Sequence, residues 1–158
     1  MLESHFTKIV ATITFTLAML LTEGVMAEEA QPLQTSGEEA FTAFPRIVDF
    51  DFVAHHVLVQ QYKDVTLVDS RPPRKFKEGS IVNSINIPES SFDEMVDRLP
   101  KDKNSLLIFY CGGLKCPLSH KSAFAAEKLG YTNAAVYAAG YPDWAAHGNP
   151  HEPMESGR

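Results

Sequence analysis

Cysteine is scarce in this chain, with two among 158 residues, and tryptophan occurs once. So few cysteines exclude a disulfide-built scaffold, and their spacing matches no familiar zinc pattern. Cations are outnumbered. Fourteen Lys and Arg against 20 Asp and Glu give a formal charge of −6, and the basic residues are spread rather than clustered. That balance argues against nucleic acid as a partner and against adhesion to anionic lipid. No apolar run approaches the roughly 20 residues that a membrane-spanning helix requires. What remains is an ordinary globular composition, 44% apolar, in which several alternating segments can build one core.

An uncharged, largely apolar run, residues 9–21, follows Lys8 and leads through Glu23 and Gly24 to Val25-Met26-Ala27, with small residues at the cleavage positions. This pattern predicts an export signal cleaved after Ala27, and hence an exported protein, periplasmic in a bacterium. The run is 13 residues long, short of a permanent anchor, and no cysteine follows it for lipid attachment. No stable membrane association is expected once the signal is gone. Cleavage removes Glu3, Lys8 and Glu23 and leaves 131 residues with a net charge of −5. Residues 28–46, rich in Glu, Gln, Ser and Thr and without a period, read as a flexible lead-in to a domain over 47–147; residues 148–158 read as a C-terminal tail.

Along the domain, Phe50, Val53, Ala54, Val57 and Leu58 fall at helical spacing behind Asp49, which predicts a first helix to about Tyr62. His55 and His56 lie on it and point about 100° apart, so they are assigned to surface or packing rather than to a metal. Val65-Thr66-Leu67-Val68 reads as a buried strand ending at Asp69, and Ile85-Asn86-Ile87 as another ending at Pro88. Ser91 and Glu94 are spaced as a capping box, predicting a helix through Met95 and Leu99 that Pro100 ends. Leu106 to Tyr110 is the most apolar strand, and it runs directly into Cys111-Gly112-Gly113-Leu114-Lys115-Cys116-Pro117. Leu118, Ser122, Ala125, Ala126 and Leu129 then line one helical face with Gly130 as its cap, Ala135-Val136-Tyr137 makes a further strand, and a last helix is expected to start at Pro142. Strands alternating with helices imply a parallel sheet covered on both faces, with chemistry at the carboxyl ends of the strands.

These residues carry a family resemblance. Leu67-Val68-Asp69-Ser70-Arg71, continuing through Phe76, Glu78-Gly79-Ser80-Ile81 and Ile85-Asn86-Ile87-Pro88, resembles the first rhodanese signature. The stretch from Ile108 to Cys111, through the small-residue helix to Gly130-Tyr131, and on to Val136, Gly140 and Trp144 resembles the second half of the same domain. The resemblance implies an α/β three-layer sandwich around a central parallel five-stranded sheet. It also implies sulfur-transfer chemistry at Cys111, with Asp69 and Arg71 as a supporting ion pair beneath the loop. Ser80 stands where the family often has His, and Asn83-Ser84 replaces a usual Gly-Ala. Counted from Cys111, Cys116 closes a loop of the usual sulfurtransferase length; set by Ser119, Ser122, Ala123, Ala126 and Gly130, the loop is two or three residues longer. In this family loop size is linked to whether sulfur or an oxyanion is accepted.

The residues also argue for Cys111 on physical grounds. A thiolate near a helix N-terminus, with Gly112 and Gly113 letting the backbone N–H groups turn inward, has its anion stabilised and its pKa lowered. The same donors suit a persulfide or thiosulfate. Gly112, Gly113, Leu114, Lys115 and Cys116 form the candidate binding loop. Lys115 supplies positive charge at its rim, Arg71, His120 and Lys121 stand farther off, and Tyr141 and Trp144 are candidates for the lining. An oxidising compartment makes a disulfide the ordinary reading of two cysteines, although a bridge between positions five apart would restrain the unfolded chain little. Cys116 is also a candidate resolving thiol. The expected reaction takes sulfane sulfur from a small anionic donor, thiosulfate or a polysulfide, and passes it through a Cys111 persulfide to cyanide, a thiol or a protein acceptor, with no cofactor and no metal. Two alternatives stand beside it: a dithiol redox protein or arsenate-type oxyanion reductase using both cysteines, and a sulfur carrier or partner-binding module with little turnover.

Overall fold

In the computed structural model, which describes residues 41–152, the elements run Ile47–Val48 (β1), Phe50–Ala54 (α1), Val65–Asp69 (β2), Pro73–Glu78 (α2), Ser80–Ile81 (β3), Ile85–Asn86 (β4), Leu106–Tyr110 (β5), Leu118–Lys128 (α3), Ala134–Tyr137 (β6), Gly140–Ala146 (α4) and His151–Glu152 (β7). The export signal read at residues 1–27 lies outside the described residues. Five strands form one parallel sheet in the order β1-β6-β5-β2-β4, with β2 and β5 paired from Val65 opposite Leu106 to Asp69 opposite Tyr110.

The pleat sorts side chains to two cores. Val68, Leu107, Phe109 and Val136 pack with Ala123 and Ala126 of α3, Phe92 and Leu99 on one face. Val65, Leu67, Ile108, Tyr110 and Tyr137 pack with Val53, Val57 and Trp144 on the other. The sheet is covered on both sides, which gives the three-layer α/β sandwich, and β5 is buried along its whole length because it lies between β6 and β2. Among the described residues no helix is long and apolar enough to cross a membrane.

Several elements differ from their sequence reading. Asp49 caps α1 by accepting from Phe52 N at 3.0 Å, but the α-helix stops at Ala54 and continues as a π-helical turn over His55–Val59. The wider turn buries Val57 and leaves Leu58 and Val59 exposed; it ends with Gln61 and Tyr62 at positive φ, from which the Tyr62 hydroxyl donates to Val82 O. The helix expected behind Ser91 is absent. Glu89–Ser91 and Val96–Arg98 are 3₁₀ turns, and no side chain caps either. Both ends of this stretch are tied down, Glu89 N to Ser70 O at 3.1 Å and Arg98 Nη1 to Asn86 O at 2.6 Å. The larger rise per residue of a 3₁₀ turn lets a short segment cover the sheet between those ties.

Two further corrections concern faces and ends. Helix α3 buries Ser119, His120, Ser122, Ala123 and Ala126, while Leu129 is exposed, so its packed face is turned from the predicted one toward its smaller residues. Helix α4 starts at Gly140, two residues before Pro142. The folded chain also extends past both expected boundaries. Phe44 is buried against Phe124 with ring centroids 5.0 Å apart. Beyond residue 147, Trp144 Nε1 donates to Pro150 O at 2.9 Å and β7 pairs antiparallel with β3.

Candidate functional site

The carboxyl ends of β2 and β5 lie side by side, which sets Asp69 beside Tyr110 and the following residues of each strand close together. Cys111 continues the β5 alternation of Leu107 and Phe109 and is fully buried. The chain then turns through residues 111–117 into α3. Cys116 N donates to Gly113 O at 2.9 Å, curling the loop so that its second cysteine returns to the first.

The two cysteines meet. Cys111 Sγ donates to Cys116 O at 3.2 Å and receives the Ser119 hydroxyl at 3.3 Å. Backbone N–H groups of Gly112 and Leu118 donate to Cys116 Sγ, and the Arg71 guanidinium adds positive charge from below. The hydrogen bond from Cys111, with these donors, pulls the Cys116 thiol down to about 6, whereas that same bond and burial push Cys111 up. Sequence reasoning placed the stabilised anion on Cys111. The N–H groups around the loop reach both sulfurs, that of Ser119 toward Cys111 and those of Gly112 and Leu118 toward Cys116, and the two thiols titrate as a pair. The pair can therefore carry one negative charge near neutral pH, shared by two sulfurs.

Beneath the loop, Arg71 and Asp69 form a buried, doubly bonded pair, Nη2 to Oδ2 at 2.5 Å and Nε to Oδ1 at 2.9 Å. Arg71 also donates to Gly79 O at 2.7 Å and lies 4.6 Å from the centre of the Tyr141 ring. Asn86 Nδ2 bridges Asp69 O and Arg71 O, each at 2.9 Å, and so locks the end of β2. Leu114 and Lys115 are exposed on the outer turn, as is Lys121 on α3. Tyr141 N donates to Cys111 O at 3.0 Å, so this residue meets the loop through its backbone and Arg71 through its ring. Trp144 is buried in the core with Val53 and Val57 rather than in the loop. His120 is buried on α3, where its Nδ1 accepts Phe44 N–H at 3.0 Å and desolvation pushes its pKa down, so it is a neutral packing residue with no charge to lend the site. Among the described residues no group of three or more His, Cys, Asp or Glu is placed to hold a metal ion.

Three contributors escaped the sequence reading. Ser119 was only a helix marker, although a hydroxyl in the first turn after the loop is the spacing that reaches back to Cys111. Asn86 was read only as part of a strand. Gly140 is the third, with φ +66: a Cβ there would collide with Cys111 O and come within 3.0 Å of Gly113 N, so this glycine lets α4 buttress the loop. Gly140→Ala is accordingly expected to lower stability by at least ~1–2 kcal/mol and to shift the loop. Thermal unfolding and the rate of thiol alkylation would both register the change; an unchanged midpoint and alkylation rate would remove the buttress role.

A profile of the rhodanese-like domain family matches residues 55–147. The thiosulfate:glutathione sulfurtransferase of Saccharomyces cerevisiae is 30% identical over 96 residues, covering 54% of this chain and 68% of that protein. The thiosulfate sulfurtransferase/rhodanese-like domain-containing protein 3 of Mus musculus is 32% identical over 107 residues, covering 60% of this chain and 66% of that one. Among solved structures, the rhodanese-like domain of an Anabaena protein superposes with a TM-score of 0.58 at 20% identity, over 72% of this chain and 83% of its own. That last likeness speaks for the fold.

Proposed function

The chain belongs to the rhodanese-like domain family, and from that premise we propose that it is a sulfurtransferase that carries sulfane sulfur on Cys111. One observation carries the reading: Cys111 directly follows the central strand at the floor of the loop, where its buried thiol meets the Ser119 hydroxyl and the backbone of Cys116. As Cys111 attacks the outer sulfur of thiosulfate, its proton passes to Cys116, the sulfur–sulfur bond of the donor breaks, and sulfite leaves with the bonding pair. A Cys111 persulfide remains. Attack on its outer sulfur by cyanide or a thiol then returns Cys111 to its starting state. The buried Asp69–Arg71 pair holds the strand end and lends the site positive charge. We also propose that this chemistry follows export, from the signal read at residues 1–27.

The pH dependence follows from the thiol pair. Below about pH 6 both sulfurs are protonated and Cys116 cannot take the Cys111 proton; above it Cys116 is the thiolate that can. Transfer from thiosulfate to cyanide is therefore expected to rise through about pH 6 and level off above it. A rate that is flat across this range, or that climbs only well into the alkaline range, would mean that Cys116 is not the proton acceptor.

A further inference from the structure

The nucleophile nearest to any sulfur loaded on Cys111 is already part of the loop. Cys111 is fully buried, whereas Cys116 is half-buried, and the loop brings Cys116 back until its carbonyl oxygen lies 3.2 Å from Cys111 Sγ. Gly112 and Gly113 lie between them; a Cβ added at Gly112 would meet nothing within 4 Å, and Gly113 sits at φ +119. Between the two cysteines the chain thus has open space beside Gly112. Ser119 also donates to Cys111 Sγ, the atom that must become electrophilic when its outer sulfur leaves.

We propose that Cys116 resolves the Cys111 persulfide, so that the domain converts sulfane sulfur to hydrosulfide and ends each loading as a Cys111–Cys116 disulfide. This inference rests on the persulfide reading above. In the step, Cys116 Sγ attacks Cys111 Sγ, a new bond forms between the two protein sulfurs, and the bond from Cys111 Sγ to the outer sulfur breaks. The outer sulfur leaves with that electron pair. The proton that Cys116 took from Cys111 during loading goes with it, so one hydrosulfide ion departs and the charge balances. Sulfane sulfur is reduced to sulfide, the two cysteines are oxidised, and a dithiol reductant reopens the bridge for the next round. A fixed intramolecular thiol competes with diffusing acceptors at a high effective concentration, so resolution outruns export of the sulfur when small acceptors are dilute.

The test uses the reduced full chain, without oxygen or added thiol, given one equivalent of thiosulfate, with sulfite, sulfide and intact mass all recorded. Expected from the unaltered protein are one sulfite and one sulfide per chain and a mass lower by two hydrogens. From Cys116→Ser, which lacks the proposed proton acceptor, slower release of sulfite, no sulfide, and a mass higher by one sulfur atom in each chain that has loaded are expected. Retention of the sulfur by the unaltered protein, or equal sulfide from Cys116→Ser, overturns the inference while leaving persulfide loading intact. No sulfite from either protein overturns the loading reading and this one with it; should the variant load slowly, the sulfide yield of the unaltered protein decides.

Discussion

Asp69→Ala is expected to destabilise the domain by ~3–5 kcal/mol, because it leaves the Arg71 guanidinium buried with its strongest partner gone. Gly79 O can still accept one N–H, but the carboxylate accepts from Nε, Nη2 and the Arg71 backbone N, and no other group replaces it. For a domain of about 100 residues such a loss corresponds to a thermal midpoint at least ~12 °C lower. Replacing both members, Asp69→Asn with Arg71→Met, removes the unpaired charge and should recover part of that loss, since two groups deleted together leave nothing charged to desolvate. Unfolding midpoints of the single and double variants decide the matter. A single variant within about 1 kcal/mol of the parent would mean that the pair adds little to stability and that its value is confined to the site.

Cys111→Ser is expected to cut sulfur transfer by ~1,000-fold or more, to the background of the uncatalysed reaction, with little change in stability. Serine fills nearly the same space beside Ser119, but a hydroxyl remains protonated near neutral pH, is not a thiophilic nucleophile, and cannot hold an outer sulfur. The remaining Cys116 sharpens this comparison. It keeps its donors from Gly112 and Leu118, so activity left in Cys111→Ser would show that the half-buried thiol receives sulfur directly. Steady-state transfer from thiosulfate to cyanide, with the folded fraction measured alongside, separates a chemical loss from a structural one.

How legible these features were in the sequence differs from residue to residue. Leu106 to Tyr110 announced the central strand because five consecutive apolar residues are what a strand buried on both faces needs, and the abrupt change to Cys111-Gly112-Gly113 marked where the loop would begin. The Asp69-Ser70-Arg71 strand end was equally plain through the family resemblance. The turns around Ser91 were misread because a local capping pattern says nothing of Ser70 O and Asn86 O, which tie the segment from elsewhere in the fold. The proton balance of the two thiols was also out of reach. Spacing could show that Cys116 lies five residues from Cys111, but not that the loop curls until Cys116 N meets Gly113 O and the N–H groups of Gly112 and Leu118 face the second sulfur. Gly140 carries its meaning only once α4 is packed beneath the loop, where a single methyl group would meet Cys111 O.

The most direct test of the central claim is the sulfite released in a single turnover when reduced protein is mixed with thiosulfate, since sulfite leaves at loading whatever becomes of the sulfur afterwards. One sulfite per chain is expected from the unaltered protein, slower release from Cys116→Ser, and none above background from Cys111→Ser. Sulfite release that survives in Cys111→Ser, or its absence from the unaltered protein, would contradict Cys111 as the carrier of sulfane sulfur.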